Sequence, residues 1–200
     1  MTRTIAILVF DQVEVLDFAG PYEVFTCATR VQAMLAPDAP PPFRVLAIAR
    51  DLAQRRARAG LTIIPEAAFG DAPAIDVLIV PGGVVDAELG QPEVIDWIAG
   101  TAARSELTAS VCNGALLLAQ AGLLDHLDAT THWADMAQLR ERWPQVRVQS
   151  GQRWIDTGKI VTSAGISAGI DMSLHLVERL AGRELALATA QRMEYDWSAA

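Results

Sequence analysis

Residues 107–120 read LTASVCNGALLLAQ and carry one of the two cysteines of the chain. The run at 107–111 is typical of a buried strand, and the Leu/Ala run that begins at Gly114 is typical of a helix. Cys112 is therefore predicted to lie at a sharp strand-to-helix turn. Small residues after it allow the backbone to approach the neighbouring strand, and the same geometry presents nucleophiles in hydrolases.

Two interpretations of Cys112 follow from this position. Amides at the start of a helix lack partners and the helix dipole favours negative charge there, so we expect the pKa of the thiol to fall below about 8.5. The alternative is that Cys112 only fills space in the core. The second cysteine, Cys27, is predicted to be a core residue, because helical spacing places it near Val24 and Val31 on one face.

Apolar runs and helical patterns alternate along the chain. The runs at residues 4–10, 43–49 and 76–80 are typical of strands buried on both faces of a parallel sheet. Helices are predicted at residues 21–31, 92–104, 114–124, 134–143, 167–180 and 184–195. The pattern predicts a single α/β domain over residues 1–200, with a doubly wound, mostly parallel, flavodoxin-like sheet and helices on both faces.

Short strands near the C-terminal end form the exception to this alternation. Residues 146–150, 152–156 and 159–162 are separated by Ser-Gly and Thr-Gly, which predicts a small antiparallel addition to the sheet. Residues 61–64 predict another accessory strand, and the proline-rich residues 36–42 predict a surface connection.

Composition excludes several classes of function. The 200 residues carry a net charge of −8 with a pI near 4.8, which argues against a nucleic-acid partner. No apolar stretch reaches the ~18 residues that a membrane span needs, and Asp11 and Glu14 interrupt the N-terminal apolar run, so we expect a cytoplasmic protein without a membrane partner. The histidines and acids lack metal-ligand spacing, and neither a metal nor another cofactor is expected.

Asp17 is the second candidate for a site. In VEVLDFAGPYEVF it follows the first predicted strand, at the same carboxyl edge of the sheet as Cys112, where open α/β sheets place their sites. A carboxyl buried beside a thiol would have a raised pKa and could act as acid or base. The alternative is a helix N-cap or a loop carboxylate.

Further candidates follow other strands. Gly82 and Gly83 come after DVLIV, and their amides could join that of Asn113 in stabilising negative charge; alone, however, PGG usually indicates only a turn. His132, in ATTHW, is either a residue of the site or a histidine with its partners in the core.

The motifs LDFAGPYEVF, DVLIVPGG, SVCNGALLLAQAGLL, ATTHW and IVTSAGISAGIDMSLHLVE, in this order, resemble the ThiJ/PfpI superfamily, with a class I glutamine amidotransferase-like fold. The likeness is greatest to its isonitrile hydratase branch and to the amidase-like domain of AraC-type regulators. It implies that Cys112 is the nucleophile and Asp17 its acidic partner. It also implies that Gly83 and Asn113 occupy backbone oxyanion positions and that His132 lies near the site or a dimer interface. Hydratases of this family carry threonine or isoleucine where this chain has Asn113.

Three functions remain open at this point. The first is a cofactor-independent enzyme in which Cys112 adds to a small electrophile, most simply the terminal carbon of an isonitrile, to give an N-substituted formamide. The second is a redox or stress sensor built on the same thiol, and the third acts on α-oxoaldehydes. The resemblance also implies a homodimer.

Overall fold

The computed structural model describes residues 1–197, which form one central sheet with helices on both faces. The eleven strands are β1 Arg3–Leu8, β2 Phe43–Ala49, β3 Arg55–Arg56, β4 Thr62–Ile63, β5 Ala67–Ala68, β6 Val77–Val80, β7 Leu107–Ser110, β8 Asp128–Ala129, β9 Arg147–Val148, β10 Trp154–Asp156 and β11 Ile160–Ser163. Seven of them form the sheet, in the order β10-β11-β7-β6-β1-β2-β5. Only β10 runs antiparallel to its neighbour, so the prediction of a mostly parallel sheet is confirmed.

The helices cover the two faces of this sheet. They are α1 Val15–Leu35, α2 Asp86–Leu89, α3 Pro92–Arg104, α4 Gly114–Gln120, α5 Met136–Arg142, α6 Ala168–Ala181 and α7 Arg183–Arg192. Helices α1, α6 and α7 pack on one face, and α3 and α4 on the other. Within residues 1–197, no helix combines the length and apolar character that crossing a membrane requires.

Strand β1 shows why the central runs are apolar at every position. Ile5 and Ile7 belong to the core under α1 and α6, whereas Ala6 and Leu8 belong to the core under α3 and α4. Successive side chains of a strand point to opposite faces, so a strand between two helical layers must be apolar on both.

One predicted strand pairs differently from the prediction, whereas another is confirmed as an accessory strand. Residues 146–150 were expected in the antiparallel addition, but β9 pairs in parallel with β8 in a separate two-stranded ribbon. Arg147 of β9 forms an ion pair with Asp128 of β8 at 3.1 Å, which supports this pairing. Residues 61–64 contribute β4, which pairs with β3 in another small ribbon outside the main sheet.

Helix α1 begins at Val15 and contains Pro21, although the proline suggested a start there. A proline inside a helix removes one backbone hydrogen bond. Gly20 and Pro21 are nevertheless buried, and a Cβ at Gly20 would lie 3.2 Å from Ile170 of α6. Close packing against α6 thus stabilises the helix across the proline. As a consequence Asp17 lies in the first helical turn and not in a loop.

Candidate active site

Cys112 lies between β7 and α4 in a strained backbone conformation. Its φ is 56°, in the left-handed region that residues other than glycine seldom adopt. Its N–H donates to the carbonyl of Ala164 at 3.2 Å, and its carbonyl accepts from Thr131 Oγ1 at 2.9 Å. Segments that follow β8 and β11 therefore hold the turn in place from two sides.

The turn depends on Gly114. A Cβ at this position would strike the carbonyl oxygen of Val80 and lie 2.8 Å from the carbonyl group of Pro81. Helix α4 thus begins directly against the end of β6, and only glycine leaves room for it. This contact brings the Pro81–Gly83 segment next to Cys112 and Asn113.

Asp17 is completely buried beside this segment. Its Oδ2 accepts from the amide of Gly82 at 3.1 Å, and its Oδ1 has no hydrogen-bond partner among residues 1–197. Burial raises the pKa of Asp17 to about 7 from its ordinary value of 3.8, and the charge of Glu14 raises it further. The Gly82 amide, the Cys112 thiol and Arg58 act in the opposite direction, by hydrogen bonds and by charge.

The expected lowering of the Cys112 pKa is wrong. Burial raises the pKa of the Cys112 thiol to about 12, and the negative charge of Asp17 contributes in the same direction. Backbone amides of Asn113 and Ile166 donate to the sulfur and lower the pKa, but they do not offset the first two effects. The sequence correctly placed the thiol at the start of a helix. Because Cys112 is only 7% exposed, however, burial decides the direction in which its pKa is shifted.

Asn113 holds the glycine segment through its side chain. Its Oδ1 accepts from the Gly83 amide at 2.9 Å, and its Nδ2 donates to the Gly83 carbonyl at 3.0 Å. The Gly82 amide is engaged by Asp17. Both glycine amides therefore already donate to side chains, and the predicted oxyanion role would require their release.

Ile166 was not foreseen as part of the site. It follows β11, has a φ of 50° and directs its amide at the Cys112 sulfur. The glycine-rich run after that strand, GISAG, was its only signal in the sequence. The amides that face the sulfur are thus those of Asn113 and Ile166.

His132 lies at the edge of the site and caps a short 3₁₀ turn, Trp133–Asp135. Its Nδ1 accepts from the Ala134 amide at 3.3 Å and lies 3.4 Å from Asp135 Oδ2. A Cβ at Gly165 would clash with the imidazole, so that glycine makes room for the ring.

The candidate residues meet at one cavity of about 230 Å³. It is lined by Glu14, Arg58, Gly83, Cys112, Asn113, His132, Ala134, Asp135 and Ile166. Asp17 and Gly82 are buried and do not line the cavity. Sequence reasoning missed Glu14, Arg58 and Asp135, which bring charge to the rim. In the part of the chain that the structure describes, no three His, Cys, Asp or Glu side chains are grouped so as to hold a metal ion.

Comparison with known proteins shows the family of the chain. The model of the DJ-1/PfpI family matches residues 3–179. The chain is 34% identical to an isonitrile hydratase of Pseudomonas putida over 98% of its own length and 79% of the hydratase. It is 31% identical to the HTH-type transcriptional regulator GbdR of Pseudomonas aeruginosa, over 97% of this chain but only 51% of the regulator.

The fold also matches solved structures. A ThiJ/PfpI family protein from Pseudomonas syringae superposes with a TM-score of 0.85 and 30% identity, over 100% of this chain and 77% of that one. From these matches and the fold itself, the chain belongs to the DJ-1/PfpI family.

Proposed function

We propose that the protein is a cofactor-independent hydratase that converts a small isonitrile into an N-substituted formamide, with Cys112 as nucleophile and Asp17 as the group that moves protons. The observation that carries the proposal is the pairing of the two: a fully buried carboxyl whose pKa is raised to about 7 beside a thiol whose pKa is raised to about 12. The similarity to an isonitrile hydratase supports the choice of substrate.

The pair can hold one proton near neutral pH and share it. When the proton lies on Asp17, the sulfur is a thiolate, and the amides of Asn113 and Ile166 stabilise its charge. An acid or base with a pKa near the working pH is the most effective in proton transfer. Asp17 meets that condition, whereas an exposed aspartate would not.

In the first step the sulfur attacks the terminal carbon of the isonitrile. A C–S bond forms, and Asp17 delivers its proton to the same carbon, which gives a thioimidate, R–N=CH–S–Cys112. The carboxylate of Asp17 is regenerated in this step, ready to act as a base.

In the second step water adds to the thioimidate carbon. Asp17 takes a proton from the water and passes it to the nitrogen, which leaves R–NH–CH(OH)–S–Cys112. The C–S bond then breaks, the hydroxyl proton returns to Asp17, and R–NH–CHO leaves with the thiolate restored. The sum is isonitrile plus water to formamide, with no other reactant.

A second candidate is a domain that binds a small molecule and signals to a partner. The regulators among the relatives favour it, and for them the chain matches about half of the length. Oxidation sensing is less well supported, because a thiol that is 7% exposed and protonated reacts slowly with peroxide. Action on an α-oxoaldehyde would use the same thiol and acid on a carbonyl carbon.

The test is hydration of a small isonitrile, followed by the appearance of the formamide. We expect turnover by the wild type, none above background by Cys112→Ala, and normal turnover by Cys27→Ala, which removes the other thiol from the core. Turnover by a folded Cys112→Ala protein would refute the mechanism. A folded wild type without turnover on isonitriles, but with saturable binding of a small molecule, would favour the second candidate.

We also propose that the protein is a homodimer. Ile64 is 74% exposed and lines an apolar groove of about 470 Å³ between α1 and the β4 segment; Leu52 and Leu61, which lie before and after β3, are 59% and 50% exposed. Exposed apolar patches of this kind mark protein interfaces. Light scattering should give twice the chain mass for the wild type and a monomer for Ile64→Glu; a monomeric wild type at high concentration would refute the proposal.

A further inference from the structure

Arg58 is the one arginine or lysine among the residues that line the Cys112 cavity. We propose that it binds an anionic group of the substrate, so that the preferred substrate is a small electrophile that bears a carboxylate. This inference rests on the proposed role of the Cys112 site and adds the class of substrate to it.

The backbone fixes Arg58 relative to the site. Its amide donates to the carbonyl of Val13 at 3.0 Å, and Val13 pairs with Gly83 through an isolated β-bridge. Gly83 is in turn held by the side chain of Asn113, the neighbour of Cys112. A continuous set of hydrogen bonds thus connects the base of the Arg58 side chain to the nucleophile turn.

The guanidinium retains capacity for a ligand. Its Nη1 donates to Glu14 Oε2 at 3.1 Å, and across residues 1–197 no other acceptor is in contact with its remaining N–H groups. A guanidinium has five N–H donors in a planar fork that matches a carboxylate. The Arg58 side chain is 55% exposed and that of Glu14 22%, so the arginine is the more accessible partner of the ion pair.

The two acids of the cavity each lie beside a basic side chain. Glu14 is paired with Arg58, and Asp135 lies 3.4 Å from His132 Nδ1. The side chain of Asn113 is committed to Gly83 in both directions. Arg58 therefore offers N–H groups that are still without partners among residues 1–197 to a ligand that supplies acceptors.

The size of the cavity restricts the ligand. About 230 Å³ lies below the ~300–1,000 Å³ of sites for drug-sized ligands. A compact electrophile with its carboxylate a few atoms from the reacting carbon matches this space. A substrate that bore a cation instead would have to compete with Arg58 for Glu14.

The first test uses alkylation of Cys112 and needs no turnover. The sulfur displaces iodide from iodoacetate or iodoacetamide, its proton passes to solvent, and mass spectrometry locates the new C–S bond. The quantity compared is the ratio of the two rates, because iodoacetate carries a carboxylate and iodoacetamide of nearly the same size does not. We expect Arg58→Gln to lower the iodoacetate-to-iodoacetamide ratio by about tenfold, as the loss of one charge-assisted contact implies.

Two variants control this measurement. Arg58→Lys keeps the charge and should retain most of the ratio. Arg56→Gln makes the same chemical change two residues earlier, where the side chain is exposed and does not line the cavity, and should leave the ratio at the wild-type value. A ratio that is unchanged or increased in a folded Arg58→Gln protein would overturn the proposal.

The second test compares isocyanoacetate with its methyl ester. We expect kcat/KM for the acid to exceed that for the ester in the wild type, and the preference to disappear in Arg58→Gln. If neither is hydrated but the alkylation ratio still depends on Arg58, the hydratase proposal fails and the anion site stands. If both are hydrated equally and the ratio does not depend on Arg58, the hydratase proposal stands and the anion site is refuted.

Discussion

Asp17 and Cys112 compete for protons within one buried site. Burial raises the pKa of Asp17 to about 7, and burial together with the charge of Asp17 raises that of Cys112 to about 12. Near neutral pH the pair therefore loses its first proton, and the second is held to high pH. A coupled pair of this kind titrates as a unit, so the two residues must be tested together.

The pH dependence of thiol alkylation should reveal this coupling. In the wild type, Asp17 is mostly ionised above pH 7, and its charge makes the thiol harder to deprotonate, so the rate with iodoacetamide should stay low. In Asp17→Asn that charge is absent, so at each pH above 7 the rate should be higher than in the wild type. Rates of modification at Cys112, measured by mass spectrometry across this range, provide the test.

Turnover should change in the opposite direction. Asp17→Asn cannot deliver or accept the protons of the proposed reaction, and its kcat should fall by at least ~10²-fold. Asp38→Asn, the same change at an exposed site in the loop before β2, should alter neither rate. If Asp17→Asn slowed alkylation above neutral pH as it slowed turnover, the coupling described here would be wrong.

The raised pKa of Asp17 should also make the stability of the protein depend on pH. Below its ordinary pKa of 3.8 the carboxyl is protonated in both the folded and the unfolded protein. Between about pH 4 and 7 only the unfolded chain releases the proton, so the folded state becomes less stable as the pH rises, and the effect is constant above 7. Relative to the wild type, Asp17→Asn should therefore become more stable as the pH rises from 4 to 7, by at most about 4 kcal/mol.

Urea unfolding of both proteins near pH 4, 6 and 8 would measure this difference. The constant effect of the substitution on the Gly82 hydrogen bond cancels, because only the change with pH is compared. A stability difference that is flat across this range would mean that the carboxyl is not desolvated in the folded protein.

The sequence predicted the layered fold because its strands are apolar on both faces and its helices lie between them. It also placed Cys112 and Asp17 at one edge of the sheet, since the carboxyl ends of parallel strands meet there. It could not predict the direction of the thiol pKa shift, which depends on the depth of burial. Ile166 was missed because its position depends on a backbone φ of 50° after β11. Arg58 was missed because it lies between the two strands of the β3–β4 ribbon, which are too short to leave a periodic pattern in the sequence.

Substitution of Gly114 should show how closely α4 approaches β6. The added methyl group of Gly114→Ala would meet the Val80 carbonyl, which cannot move without disturbing β6, so we expect a loss of ~2 kcal/mol or more in the free energy of unfolding. Gly70→Ala places the same group in open space and should change stability by no more than ~0.5 kcal/mol. Equal effects of the two substitutions would contradict the close approach.

Substitutions of Asn113 should show whether its side chain only holds Gly83 in place or takes part in the chemistry of the thiol. Asn113→Ala removes both hydrogen bonds to the half-buried backbone of Gly83, which should cost about 1 kcal/mol of stability. Asn113→Thr keeps one hydroxyl for this purpose and should recover part of the loss. The Asn113 amide that faces the sulfur is present in both variants, so the pKa of Cys112, read from alkylation against pH, should change much less than the stability. A variant of unchanged stability with a strongly shifted alkylation profile would instead place the Asn113 side chain in the chemistry of the thiol, with the contact to Gly83 as a secondary feature.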